Sequence, residues 1–170
     1  MVEFKTSRHL VKSASLCLLL VFACLQNAWA DKPPSAAIAS AHPLATSAGE
    51  EILRQGGNAF DAAIAVTAAL AVVEPYSSGI GGGGFWLLHR ASDRKQVMID
   101  GRETAPSLAH RRMYQDEEGN VNKGKSLTGA LSAGIPGVPA GMVHLARHYG
   151  RLSLAESLKP AIRYASEGVR

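Results

Sequence analysis

The run from Ala62 to Val73 is apolar throughout except for Thr67. A stretch of about twelve such residues is too short for a membrane span and reads as a core helix. Because no side of it is polar, it must be covered on every face. Its neighbours therefore decide what the chain can fold into, and glycine and proline mark where each begins and ends. Upstream, a helix from about Thr46 to Gln55 is expected to end at Gly56-Gly57, residues free to take the left-handed conformation that a helix terminus favours. Asn58 restarts the chain as a cap. Asp61 stands three residues on, in the place of the capping-box acid and beside the positive end of the helix dipole.

Downstream, Pro75 stops the apolar helix and the run Gly79-Ile80-Gly81-Gly82-Gly83-Gly84 leads into Phe85-Trp86-Leu87-Leu88-His89, which reads as a buried strand. Ser92-Asp93 marks a turn and Val97-Met98-Ile99 a second strand, which together predict an antiparallel hairpin. A polar stretch follows, with a turn at Glu118-Gly119-Asn120. Gly134-Ile135-Pro136-Gly137-Val138-Pro139 then introduces a helix that has Pro139 in its first turn and ends by Gly150. Ser153 and Glu156 form the capping box of a last helix, in which Leu154, Leu158, Ile162 and Ala165 share one face and Pro160 is expected to cause a bend. The pattern is that of an α/β segment. Two strands leave open sheet edges, and the apolar helix has few partners to cover it.

The first thirty residues read as a secretory signal, not as part of the fold. Basic residues run to Lys12, an apolar stretch runs from Ala14 to Leu25, and Ala28-Trp29-Ala30 is a small-x-small cleavage site before Asp31. Cleavage is expected between Ala30 and Asp31, leaving no stable membrane anchor. A lipid anchor on Cys24 is the weaker alternative, because Phe22 is bulky where such sites carry a small residue. Both cysteines, Cys17 and Cys24, fall inside the signal. The expected mature chain therefore has no disulfide, thiolate metal site or cysteine nucleophile. Removing residues 1–30 also leaves 15 basic and 13 acidic residues, a net charge of about +2. With no interleaving of aromatic and basic residues, nucleic acid is not an expected partner. Residues 31–41, with Lys32-Pro33-Pro34, read as a linker.

Several local patterns fall short of the chemistry they suggest. Gly79, Gly81 and Gly84 match the letters of a dinucleotide-binding loop, but that loop needs a strand before it and a helix after, and here the order is reversed. No lysine follows the glycines, which removes a P-loop. Dense glycine fits a tight backbone crossing better, and also lets a ligand approach the main chain. His144 and His148 have the i, i+4 spacing of a zinc pair, but Leu145 stands where a metalloprotease helix carries its glutamate, so both read as solvated face residues. No metal site and no cofactor is expected. No serine stands in G-x-S-x-G, and no nucleophile or carboxylate pair can be named from spacing. Arg102 follows the second strand directly, where loops on a rigid sheet often carry binding residues. By position alone, a surface salt bridge to Asp100 or Glu103 is the plainer reading.

Four collinear stretches change that balance. They are Gly56-Gly57-Asn58-Ala59-Phe60-Asp61-Ala62-Ala63, Gly81-Gly82-Gly83-Gly84-Phe85, Asp100-Gly101-Arg102-Glu103-Thr104-Ala105-Pro106, and Gly134-Ile135-Pro136-Gly137-Val138-Pro139-Ala140-Gly141 with the Tyr149-Gly150 that follows. In this order and spacing the chain, from about His42 to Arg170, resembles the N-terminal part of the γ-glutamyltranspeptidase, or glutathione hydrolase, family. The resemblance implies an enzyme exported to the periplasm or the cell exterior, with the four-layer αββα fold of N-terminal-nucleophile hydrolases, incomplete in this chain. It implies a precursor that cuts itself into a large and a small subunit and frees a threonine. That hydroxyl, with the new α-amine as base, attacks the γ-glutamyl amide of glutathione and related γ-glutamyl compounds. Water, an amino acid or a peptide then resolves the acyl-enzyme.

On this reading residues 42–170 begin the large subunit, and the partner is the small subunit of the same precursor. The nucleophilic threonine lies beyond the C-terminus, since Thr46, Thr67, Thr104 and Thr128 are internal and match no nucleophile motif. Arg102 carries over as the residue that binds the substrate's α-carboxylate. The physical reason is that a planar guanidinium meets a carboxylate with two parallel charge-assisted hydrogen bonds, which lysine cannot copy. The segment alone is expected to be inactive. The alternatives are a related exported acylase, of the cephalosporin acylase kind, and a non-catalytic truncated module.

Overall fold

The computed structural model describes residues 35–169, so the expected signal, its Ala30/Asp31 junction and the first four residues of the expected linker lie outside the described residues. The folded unit begins at Ile38. Helix α1 (Pro43–Arg54) starts three residues earlier than expected. Proline at the first helical position presets φ, and Nδ1 of His42 accepts the Leu44 N–H at 3.2 Å, a cap outside the usual Ser, Thr, Asp and Asn set. Its inner face, Ala45, Ala48, Gly49 and Ile52, packs on helix α2 (Ala59–Val73). The helices approach closely at Gly49, where a Cβ would stand 2.8 Å from Val66 Cγ2. Between them Gly56 takes the left-handed conformation, with φ of 92°.

Helix α2 begins with the expected capping box. Asn58 Oδ1 accepts the Phe60 and Asp61 N–H groups at 2.8 and 3.1 Å, and Asp61 Oδ2 accepts the Asn58 N–H at 2.8 Å. Every residue from Asp61 to Val73 is buried or half-buried, as an all-apolar helix requires. Its covers are chiefly α1 and the last helix.

Strands β1 (Gly84–Arg90) and β2 (Lys95–Gly101) form the expected antiparallel hairpin, with Gly84 opposite Gly101 and Arg90 opposite Lys95. At the turn Arg90 grips Asp93 through Nε at 2.9 Å and Nη2 at 2.6 Å, which holds the Asp93 carboxyl down to about 2. The reading of Phe85 to His89 as a buried strand needs correction. Trp86 and Leu88 turn to the helices, while Phe85 and Leu87 are exposed, together with Met98 across the hairpin. A pleated strand sends alternate side chains to opposite faces, and among the described residues only one face has helices against it.

Helix α3 (Val138–His148) starts with Pro139 in its first turn, as expected, and buries Val138, Gly141, Met142 and Leu145. Helix α4 (Leu154–Glu167) carries the Ser153–Glu156 capping box and runs unbroken through Pro160. Leu154, Leu158, Ile162 and Ala165 share one face, as expected, but the buried residues lie beside it. Ser157, Pro160 and Ala161 are buried, whereas Leu154 and Leu158 are half-buried and Ile162 and Ala165 exposed. Those four residues line an open apolar groove of about 460 Å³ with Ala68, Val72 and Met142.

Candidate functional site

Three of the glycine-bearing stretches meet at one backbone junction. The carbonyl of Gly82, in the loop between α2 and β1, accepts the N–H groups of Gly137 and Val138 at 3.1 and 3.2 Å. This ties the glycine loop to the first turn of α3. Beyond β2 the chain re-pairs briefly, with Thr104 and Ile135 exchanging N–H···O bonds of 3.2 and 2.8 Å. Gly137 lies against the end of β2, where a Cβ would collide with the Gly101 carbonyl and fall 2.8 Å from the Arg102 carbonyl oxygen. No side chain fits between these backbones, which accounts for glycine at that position. Trp86 fills the adjoining space under Gly141 of α3.

This junction places Arg102. Its N–H donates to Oδ1 of Asp100 at 2.9 Å. Among the described residues its guanidinium forms no salt bridge, so the surface pair with Asp100 or Glu103 that position alone suggested is not made. Instead Glu103 lays its carboxylate over Gly82 and Gly83. Arg102 borders two cavities. One, of about 590 Å³, is walled by Asp100, Thr104, Pro136, Gly137 and His144; the other, of about 370 Å³, is walled by Ala105, Met113, Tyr114 and Leu131. The second wall is steadied by a hydrogen bond from Tyr114 Oη to the Leu131 carbonyl at 3.1 Å. An unpaired guanidinium on an exposed residue that follows a strand end and borders two open cavities is chemically suited to take a carboxylate in a two-point grip.

His144 and His148 are exposed, in keeping with their reading as solvated face residues, with ring centroids 4.4 Å apart. Among the described residues no cluster of three or more His, Cys, Asp or Glu side chains is placed to hold a metal ion, and no helix is long and apolar enough to cross a membrane. Sequence reasoning missed three participants: Asp100 as the acceptor for Arg102, Glu103 as the cover of the glycine loop, and His144 as a wall of the Arg102 cavity. Only the first had a local signal, an aspartate two residues before the N–H it accepts. The other two depend on contacts across the fold.

The model of the family described as gamma-glutamyltranspeptidase matches residues 45–170. The glutathione hydrolase proenzyme of Pseudomonas sp. (strain A14) is 45% identical over 131 residues, 77% of this chain and 23% of that protein. The acylase ACY 1 proenzyme of Pseudomonas sp. (strain SE83) is 43% identical over 134 residues, 75% of this chain and 24% of that protein. The crystal structure of Helicobacter pylori gamma-glutamyltranspeptidase superposes with a TM-score of 0.76 at 42% identity, over 82% of this chain and 40% of that one. The chain thus spans about a quarter of the length of the curated relatives it matches.

Proposed function

The chain belongs to the γ-glutamyltranspeptidase family, and from that premise we propose that it is the N-terminal part of the large subunit of an exported glutathione hydrolase, contributing Arg102 as the binder of the substrate's α-carboxylate. The enzyme cleaves the γ-glutamyl amide of glutathione and its relatives and passes the acyl group to water or to an amino-acid or peptide acceptor. The attacking threonine comes from the stretch of the relatives' length that this chain does not span. The mature protein is periplasmic or secreted.

The observation that carries this reading is the free guanidinium at the end of β2. Its residue is held on a backbone junction where Gly82, Gly101 and Gly137 pack without side chains, and borders a cavity of about 590 Å³. A cation kept unpaired and exposed at a rigid point suits a ligand with a negative group.

Steady-state kinetics of the full-length enzyme with a γ-glutamyl anilide test the assignment. Arg102→Ala is expected to lower kcat/KM about 100-fold or more, mainly through KM, because both charge-assisted bonds are lost. Arg102→Lys keeps the charge without the fork and is expected to fall between the two, about 10-fold down. The acylase relative makes one other reading specific, in which the acyl group carries no α-carboxylate and Arg102→Ala leaves kcat/KM unchanged.

A further inference from the structure

The backbone that presents Arg102 is tied down at successive residues, and one tie is a side chain. Gly101 is the last residue of the β2 ladder, opposite Gly84, and Thr104 re-enters pairing with Ile135. Between those points the Arg102 N–H has left its strand partner, and Oδ1 of Asp100 accepts it at 2.9 Å. Both residues are exposed, so water could replace this bond at little cost to stability. What water cannot replace is the geometry. An aspartate bonded to the N–H two residues on closes an Asx turn, which restricts the backbone there and so the direction in which the Arg102 side chain leaves it. On the carbonyl side Gly137 confines the same residue.

With Glu103, Asp100 is also one of the two carboxylates close in sequence that could have neutralised Arg102. It makes no salt bridge with the guanidinium, although both border the same cavity. The aspartate thus orients the arginine without consuming its charge. We propose that Asp100 is a positioning residue for Arg102, its carboxylate oxygen setting the turn from which the guanidinium reaches the substrate carboxylate. This rests on the reading of Arg102 given above, and it assigns Asp100 no contact with substrate.

The test compares kcat/KM of the full-length enzyme for γ-glutamyl-p-nitroanilide with that for 4-aminobutyryl-p-nitroanilide, which has the same scissile amide and amine but no α-carboxylate. The ratio reads carboxylate recognition alone, because a loss of folded or matured enzyme lowers both values together. Asp100→Asn keeps the acceptor oxygen and removes the charge, and the ratio is expected to stay within about 2-fold of the unsubstituted enzyme. Asp100→Glu keeps the charge on a side chain one methylene too long for the turn, and the ratio is expected to fall about 10-fold. A ratio that survives Asp100→Glu, or falls as far in Asp100→Asn, overturns the positioning role. Arg102→Ala, run alongside, separates the two levels. If it leaves the ratio unmoved, the carboxylate-binding assignment itself fails; if it collapses the ratio while Asp100→Glu does not, only the role of Asp100 fails.

Discussion

Asp61 shows how much one side chain can decide. It is fully buried, and its carboxylate accepts the N–H of Asn58 at 2.8 Å, of Arg151 at 2.9 and 3.2 Å, and of Leu152 at 3.4 Å. The first of these closes the capping box of α2. The others fasten that helix start to the loop between α3 and α4, ninety residues further along the chain. Asn58 adds a bond from Nδ2 to the Tyr149 carbonyl at 2.7 Å. Gly150 completes the arrangement, since a Cβ there would stand 2.5 Å from Asp61 Oδ1. Asp61→Asn turns one acceptor into a donor facing N–H groups and is expected to cost about 2 to 3 kcal/mol, read as a shift in the urea midpoint. An unchanged midpoint would reduce Asp61 to a local cap. Its capping role was legible because the pattern spans four residues. Its second set of partners was not, because nothing near Asp61 in sequence points to Arg151.

At the scale of elements, α1 and α4 are joined across the chain by Glu51 and Arg163, whose paired atoms lie 2.6 and 3.3 Å apart in a two-point contact. The hydrogen bond from Arg163, with its charge, holds the Glu51 carboxyl below its ordinary value of 4.5. A lowered carboxylate pKa gives stability that is fully present above that ordinary value and is lost as pH falls through the folded-state value. Arg163 is 39% exposed, so solvent screening limits the pair to roughly 0.5 kcal/mol. Glu51→Gln should lower Tm slightly at neutral pH, with a gap from the unsubstituted protein that closes as pH drops below about 4.5. Melting curves at a series of pH values check this, and a gap that persists in acid would contradict it. The elements themselves were largely readable. Asn58, Ser153 and Pro139 announce helix starts through bonds made within one turn, and Ser92-Asp93 marks the hairpin turn. The start of α1 was hidden because histidine is an uncommon cap.

For the molecule as a whole, the unfilled surfaces matter most. Phe85, Leu87 and Met98 stand exposed on the outer face of the hairpin, and the groove between α2, α3 and α4 is walled by apolar side chains. Residues 35–170 produced alone are therefore expected to bind a hydrophobic dye and to melt broadly. A sharp, cooperative melt without dye binding would show that these surfaces are satisfied as they stand. From the sequence, the apolar run from Ala62 to Val73 already required a cover on every side, and the cap and turn residues already placed its neighbours, because those signals act over a few bonds. Which face of each neighbour turned inward was settled only in three dimensions. Leu87 and Leu88 are chemically alike, yet one is exposed and the other buried. Arg102 likewise stands free of Asp100 and Glu103 because one carboxylate is held by a backbone N–H and the other lies over a glycine loop remote in sequence. Such outcomes depend on what each surface packs against, and packing joins residues that the order of the chain keeps apart.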